Sequence, residues 1–143
     1  MQRDLITSIK PVEILPPVVY AADNTPVAID CREYGAGFVM LHIGIGGITF
    51  SGANKIEFIM THSDDDSTYT AVAQADVQGV TVGAGGIVHS LIVEQAAAEI
   101  VRIGYSGEKR YVKILADFSG THGTGTPLSA VMIFGYPSWT PVS

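Results

Sequence analysis

IVRIGYSGEKRYVKILADF, residues 100–118, is the stretch on which the fold turns. Two runs rich in Val, Ile and Tyr flank Ser106-Gly107-Glu108-Lys109, a pattern that predicts a β-hairpin closed by a glycine-containing turn. The same stretch carries Arg102, Lys109, Arg110 and Lys113, half of the 8 basic residues in the chain. Alternation along a hairpin places these cations on a solvated strand face. Nothing in the stretch forms a recognisable catalytic set.

Outward from it, the chain reads as short β-like runs punctuated by glycine and polar turns. Strands are expected near residues 26–31, 38–43, 55–61, 68–73, 78–82, 87–93, 100–105, 110–118 and 128–134. Ile56, Phe58 and Met60 alternate with Glu57, Ile59 and Thr61, which predicts one strongly buried face. Phe38-Val39-Met40-Leu41 is apolar on both faces, so it either lies centrally between layers or contacts a second subunit. The helical candidate is residues 94–101, through Gln95-Ala96-Ala97-Ala98. Alanine favours helix, but so short a segment is marginal in water, and a single turn is the most it supports. Many short strands without helix–strand alternation predict an all-β single-domain jelly roll or β-sandwich.

Residues 1–22 differ from the rest. Pro11, Pro16 and Pro17 interrupt an apolar series that includes Leu5, Ile6, Ile9, Val12, Ile14 and Leu15. Proline lacks a backbone N–H and forces its predecessor into extended geometry, which excludes a continuous helix. The reading is an extended N-terminal arm over 1–22 ahead of a β-sandwich domain over 23–143. Such an arm either packs on its own domain as an edge segment or reaches a neighbouring subunit. In the second case Leu5, Ile6, Ile9, Val12, Ile14 and Leu15 are the contact residues.

A length of 143 residues suits one core. Hydrophobic residues make up 47% and charged residues 15%, below the roughly 25% charge of ordinary domains. So few charges leave apolar surface for self-association or docking, unless Gly, Ser and Thr cover it. The net charge of −6 argues against a general nucleic-acid binder, which needs a basic footprint. The single cysteine, Cys31, permits no intramolecular disulfide and reads as a small buried apolar residue. No signal-peptide h-region and no membrane-length apolar stretch are evident, so a reducing cytoplasm is the expected site of synthesis.

The candidate chemical motifs are weak. The run Ser63-Asp64-Asp65-Asp66-Ser67 has hard oxygen ligands but lacks the alternate spacing and central glycine of a calcium loop, and reads as a hairpin turn. The glycine-rich segments 44–47, 83–86 and 120–125 match no phosphate-binding pattern and read as turns or close-approach points. His42, His62, His89 and His122 are scattered without metal-ligand spacing. No nucleophile signature surrounds any Ser or Cys31. The expectation is therefore no enzyme, no cofactor and no metal. Trp139, the one tryptophan, reads as an anchor for the C-terminal tail.

Several short stretches carry a family resemblance: the arm ending at Pro16-Pro17-Val18, the strand Val27-Ala28-Ile29-Asp30, residues 56–69 with the Ser63-Asp64-Asp65 turn, Arg102-Ile103-Gly104-Tyr105-Ser106-Gly107 followed by Arg110-Tyr111-Val112, and the closing Gly135-Tyr136-Pro137. Their order resembles the cement or decoration proteins of tailed bacteriophages, closest to the jelly-roll type of Bordetella-type podophages. The resemblance covers most of the chain through motifs of low specificity. It implies a homo-oligomer, expected to be a dimer in preference to a trimer because two-fold symmetry is the commoner default, on the outer surface of the capsid. There it clamps major capsid protein subunits of the expanded virion shell, with assembly in the host cytoplasm and no role for nucleic acid or membrane. The alternative is a carbohydrate-binding β-sandwich module of a phage tail or receptor-recognition protein. A further rival is a small β-sandwich enzyme built on converging histidines.

Overall fold

The segment Lys55–Ser63 shows how the layers arise. Ile56, Phe58 and Met60 are fully buried while Glu57, Ile59 and Thr61 between them are half-buried, the two-residue period of a pleated strand with one face on a core. The computed structural model describes residues 4–138. In chain order its strands are β1 (Lys10–Tyr20), β2 (Ile29–Asp30), β3 (Tyr34–Ile43), β4 (Lys55–Ser63), β5 (Thr70–Ala71), β6 (Val77–Gln78), β7 (Ile87–Leu91), β8 (Glu99–Tyr105), β9 (Tyr111–Ser119) and β10 (Thr126–Pro137). Short 3-10 turns occupy Gln74–Asp76 and Ala84–Gly86.

The strands form two antiparallel sheets. The first has the order β1-β10-β3-β8-β6, and the second β2-β9-β4-β5 with β7 also paired to β4. Setting aside the two-residue β5 and β6, each connection crosses from one sheet to the other except that from β4 to β7. The last strand returns beside the first. This is the eight-stranded jelly roll, two Greek keys wrapped into a sandwich, and it bears out the all-β reading. Phe58, Met60 and Ile114 of one sheet and Leu41, Ile103, Met132 and Phe134 of the other form the shared core. Burial of each such side chain contributes about 1.5–3 kcal/mol.

Three expectations need correction. Residues 100–118 form two strands but not a hairpin: β8 pairs with β3 and β6, whereas β9 pairs with β4 and β2. The buried Ile103 and Tyr105 therefore face Val112, Ile114 and Ala116 across the core instead of lining one sheet with them. Residues 106–110 carry the chain over the end of the sandwich, where the Ser106 N–H donates to the Asp76 carbonyl and the Cys31 N–H to the Arg110 carbonyl.

The second correction concerns the arm expected over 1–22: its described residues, 4–22, are not separate from the domain. Lys10–Tyr20 is an edge strand paired with β10 from Lys10↔Phe134 to Tyr20↔Thr126. The prolines are accommodated because one side of an edge strand makes no ladder bonds and because the register slips twice, between Glu13 and Leu15 and between Leu15 and Val18. The first slip turns two consecutive residues, Ile14 and Leu15, into the core at 1% and 0% exposure. At the second, the Tyr20 hydroxyl donates to the Pro16 carbonyl at 2.7 Å.

Thirdly, residues 94–98 make no helical turn and run as an irregular loop. Gln95 caps its own loop by donating to the Ala97 carbonyl at 2.8 Å, and this competing local bond outweighs the helix preference of three alanines. The strands expected at 68–73 and 78–82 shrink to the two-residue β5 and β6. Beyond the short β2, side chains substitute for strand pairing. Asn24 accepts from the Ala116 N–H and donates to the Ile114 carbonyl, and Asp23 accepts from the Phe118 N–H. Trp139 lies outside the described residues.

Candidate interaction surface

Cross-strand partners share a face, so the register gives the side chains on the outside of each sheet. On the second sheet the outward positions are largely polar. Lys55 and Glu57 form an ion pair at 2.9 Å, Asp117 lies opposite Glu57, Thr61 lies opposite Lys113, and the Lys113 ammonium sits 3.9 Å from the Tyr69 ring centroid. The first sheet is different. One outward row runs Pro11, Ile133, Phe38, Gly104 and the next Glu13, Val131, Met40, Arg102. A third row holds Ser129, His42 and the exposed Ile100. A groove of about 640 Å³ follows β8 beside Phe38, Ile100 and Arg102. No described element covers this apolar face. β3 is central within its sheet, and Phe38 and Met40 are half-buried on its outer face.

A second apolar surface lies at one end of the sandwich. Val19 pairs with Pro127, Gly44 donates to the Pro127 carbonyl, and Gly46 donates to the Gln95 carbonyl, which brings the β1, β3–β4 and β7–β8 termini to the same end. The exposed Val18, Val19, Ile45, Ile92 and Val93 all belong to these termini.

The six residues assigned to the arm divide. Leu5 and Ile6 are 64% and 80% exposed in a turn closed by the Ser8 and Ile9 N–H groups on the Leu5 carbonyl. Ile9 is half-buried at the strand entrance. Val12 packs against the core, and Ile14 and Leu15 are part of it. The last three therefore stabilise this chain's own fold. Glu13, Val131 and Ile133 went unselected in the sequence. The signal for Val131 and Ile133 was the run Ala130-Val131-Met132-Ile133-Phe134, apolar at both parities as Phe38–Leu41 is.

The four cations of residues 100–118 do not share a face. Arg102 is on the outside of the first sheet. Arg110 makes a bidentate pair with Asp30 at 2.7 and 3.0 Å and lies over the Tyr111 ring, Lys109 meets Asp64 at 3.4 Å, and Lys113 covers Tyr69. The acidic run is a turn between β4 and β5, as expected. Asp65 accepts from the Ser67 and Thr68 N–H groups and from the Ser63 hydroxyl, which holds its carboxyl down at about 2, and Asp66 accepts from the Tyr69 hydroxyl.

The most connected titratable groups sit at the other end of the sandwich. Buried His62 places Nδ1 3.0 Å from the Tyr105 hydroxyl, which donates to the Lys109 carbonyl at 3.3 Å, and Nε2 4.0 Å from Asp76. Tyr105 and Cys31 line a cleft of about 310 Å³ with Tyr34, Arg32 and Glu108. Burial pushes the Tyr105 phenol and the Cys31 thiol each up to about 12. Both stay protonated at neutral pH and act as hydrogen-bonding groups, not activated nucleophiles. Among the described residues no three His, Cys, Asp or Glu side chains come together to hold a metal ion.

Burial also pushes the His62 imidazole below its ordinary value of 6.5, against the opposing pull of Asp76. The folded chain therefore favours neutral His62. That contribution is complete above pH 6.5 and is lost as pH falls towards the depressed folded value. Thermal melts from about pH 7 down to about pH 5 should show the wild type losing stability more steeply than His62→Gln. Parallel curves would remove His62 from the acid response.

No protein-family model, curated protein or solved structure matches this chain.

Proposed function

We propose that this protein is a non-enzymatic structural protein that binds the outside of a phage capsid and stabilises the expanded shell by clamping neighbouring major capsid subunits. The observation that carries the reading is the gathering of exposed Val18, Val19, Ile45, Ile92 and Val93 at one loop end of a rigid sandwich. Large apolar side chains left exposed on a folded domain mark a partner site when they gather in one region, and loop ends on a stable scaffold are where sandwiches carry such sites. The sequence resemblance supplies the nature of the partner. A ligand that binds the expanded shell and not its precursor shifts the equilibrium towards expansion. Weak contacts repeated over a lattice act together.

Purified protein mixed with expanded empty heads should co-sediment saturably and appear at repeated lattice positions on imaging. Ile92→Asp with Val93→Asp should abolish co-sedimentation while leaving the thermal melt unchanged, because both side chains are exposed. Failure of the wild type to bind heads overturns the proposal. The cleft beside Tyr34, Arg32 and Glu108 supports the carbohydrate-binding alternative, and reproducible glycan-array hits lost in Tyr34→Ala would favour it.

A further inference from the structure

We infer that the open outer face of the β1-β10-β3-β8 sheet is covered by the same face of a second copy of this chain, in a two-fold dimer whose axis runs along the strands. The inference deepens the capsid reading and rests on it only for what the dimer binds.

The row Glu13, Val131, Met40, Arg102 crosses all four strands of this face. Its two ends carry opposite charges and its middle is apolar. Neither Glu13 nor Arg102 has an ion-pair partner among the described residues. Two identical sheet faces can be laid together about an axis lying in the interface, either along the strands or across them. An axis along the strands, between β10 and β3, exchanges left and right. Val131 then meets the second copy's Met40, Ile133 meets its Phe38, and Glu13 meets its Arg102, the last contact occurring twice. An axis across the strands leaves left and right unchanged and sets Glu13 against Glu13 and Arg102 against Arg102. Like charges across an interface are costly and opposite charges fix its register, so the pattern selects the first arrangement. Sheets laid in this way pack aligned, within about 30° of one another.

The size is adequate. Four strands at about 4.8 Å spacing, with β3 rising about 3.3 Å per residue over 10 residues, present a face close to the roughly 800 Å² per partner of a standard interface once side-chain relief is included. Its centre is Phe38, Met40, Val131 and Ile133, with the charges at the rim, which is the usual anatomy of a specific contact.

The chosen axis has a functional consequence. Rotation about the strand direction leaves both loop ends pointing the same way, so Ile45, Ile92 and Val93 of the two copies sit side by side. They lie about 20 Å apart, two sheet-to-sheet spacings. A dimer of this form is a bivalent clamp, able to engage two adjacent sites at once.

Sedimentation velocity on the purified chain tests this. The wild type should dimerise reversibly at micromolar concentration, and Met40→Arg should be monomeric with an unchanged melt, since Met40 points away from the core. Arg102→Glu should weaken the dimer about tenfold by creating two like-charge contacts, and Glu13→Arg combined with Arg102→Glu should regain the lost affinity. A wild type that stays monomeric at high micromolar concentration overturns the inference and leaves the face to residues 139–143 or to a shell protein. A trimer, a dimer indifferent to Met40→Arg, or a double reversal no tighter than the single one overturns it too. Head binding is scored separately. A dimer that ignores heads sinks the capsid reading and spares this face, whereas a monomer that binds them does the reverse.

Discussion

Deletion of residues 1–17 is expected to leave a chain that does not fold. The segment includes Val12, Ile14 and Leu15, of which the last two are fully buried against the first sheet and the core. Truncating one buried Leu or Ile costs about 2–5 kcal/mol. A whole domain has only about 5–15 kcal/mol to lose. The deletion also removes most of β1, leaving the β10 backbone from Ala130 to Phe134 without its antiparallel neighbour. Unpaired edges of that kind favour aggregation. Leu15→Asp should behave similarly from a single substitution, because an ionised carboxylate has no partner in that core. Circular dichroism and urea melts measure both. The control is Leu5→Ser with Ile6→Ser, whose side chains are exposed and whose melt should stay within about 0.5 kcal/mol of wild type. A truncated chain that melts cooperatively near the wild-type midpoint would show that β1 is dispensable.

The second large effect is expected at Gly125. Its φ is +87°, and a Cβ there would lie 2.5 Å from the Tyr20 carbonyl oxygen. Gly125→Ala combines left-handed strain of about 1–2 kcal/mol with a backbone clash of about 1–3 kcal/mol. Gly123, two residues earlier, has φ +53°, with the Ile48 methyl at 3.5 Å as the nearest neighbour of an added Cβ. Gly123→Ala should therefore cost only the strain. A difference of about 2 kcal/mol between the two variants in urea is the expected result, and equal losses would contradict the packing of residues 120–125 against β1.

That pair of glycines shows where reading the sequence stops. Gly120-Thr121-His122-Gly123-Thr124-Gly125 looks like one flexible loop, because glycine spacing records where φ is free and not what lies nearby. In the fold, His122 is buried between Phe50 and Phe118 with Nε2 2.8 Å from the Ser119 carbonyl, and Gly125 abuts β1. Gly47 is placed as tightly, since a Cβ on it would overlap the Gly125 carbonyl. The close approach between these two loops was legible as a class, through their glycine content, but not as a partnership.

The candidate surfaces divide in the same way. The scarcity of charge and the two-sided apolar run at Phe38–Leu41 were readable and pointed to docking. Which residues do it was not. The proline-broken apolar series drew attention to residues 5–15, yet a bulge between Glu13 and Leu15 sends Ile14 and Leu15 into the core. A bulge is a relation between two strands, and a single strand's sequence does not state it.

Residues 100–118 draw the boundary most clearly. By itself the sequence determined that both halves are strands, since β-branched and aromatic residues alternate with polar ones on either side of a glycine turn. It determined as well that the chain is all-β, from the absence of any long helical period. Only the tertiary structure decided that β8 and β9 belong to opposite sheets, that Arg102 faces away from Arg110 and Lys113, and that the first sheet's outer face is the apolar one. The physical reason is that alternation specifies which side of a strand is buried. The partner strand, and the layer that results, follow from how several buried faces close on one core.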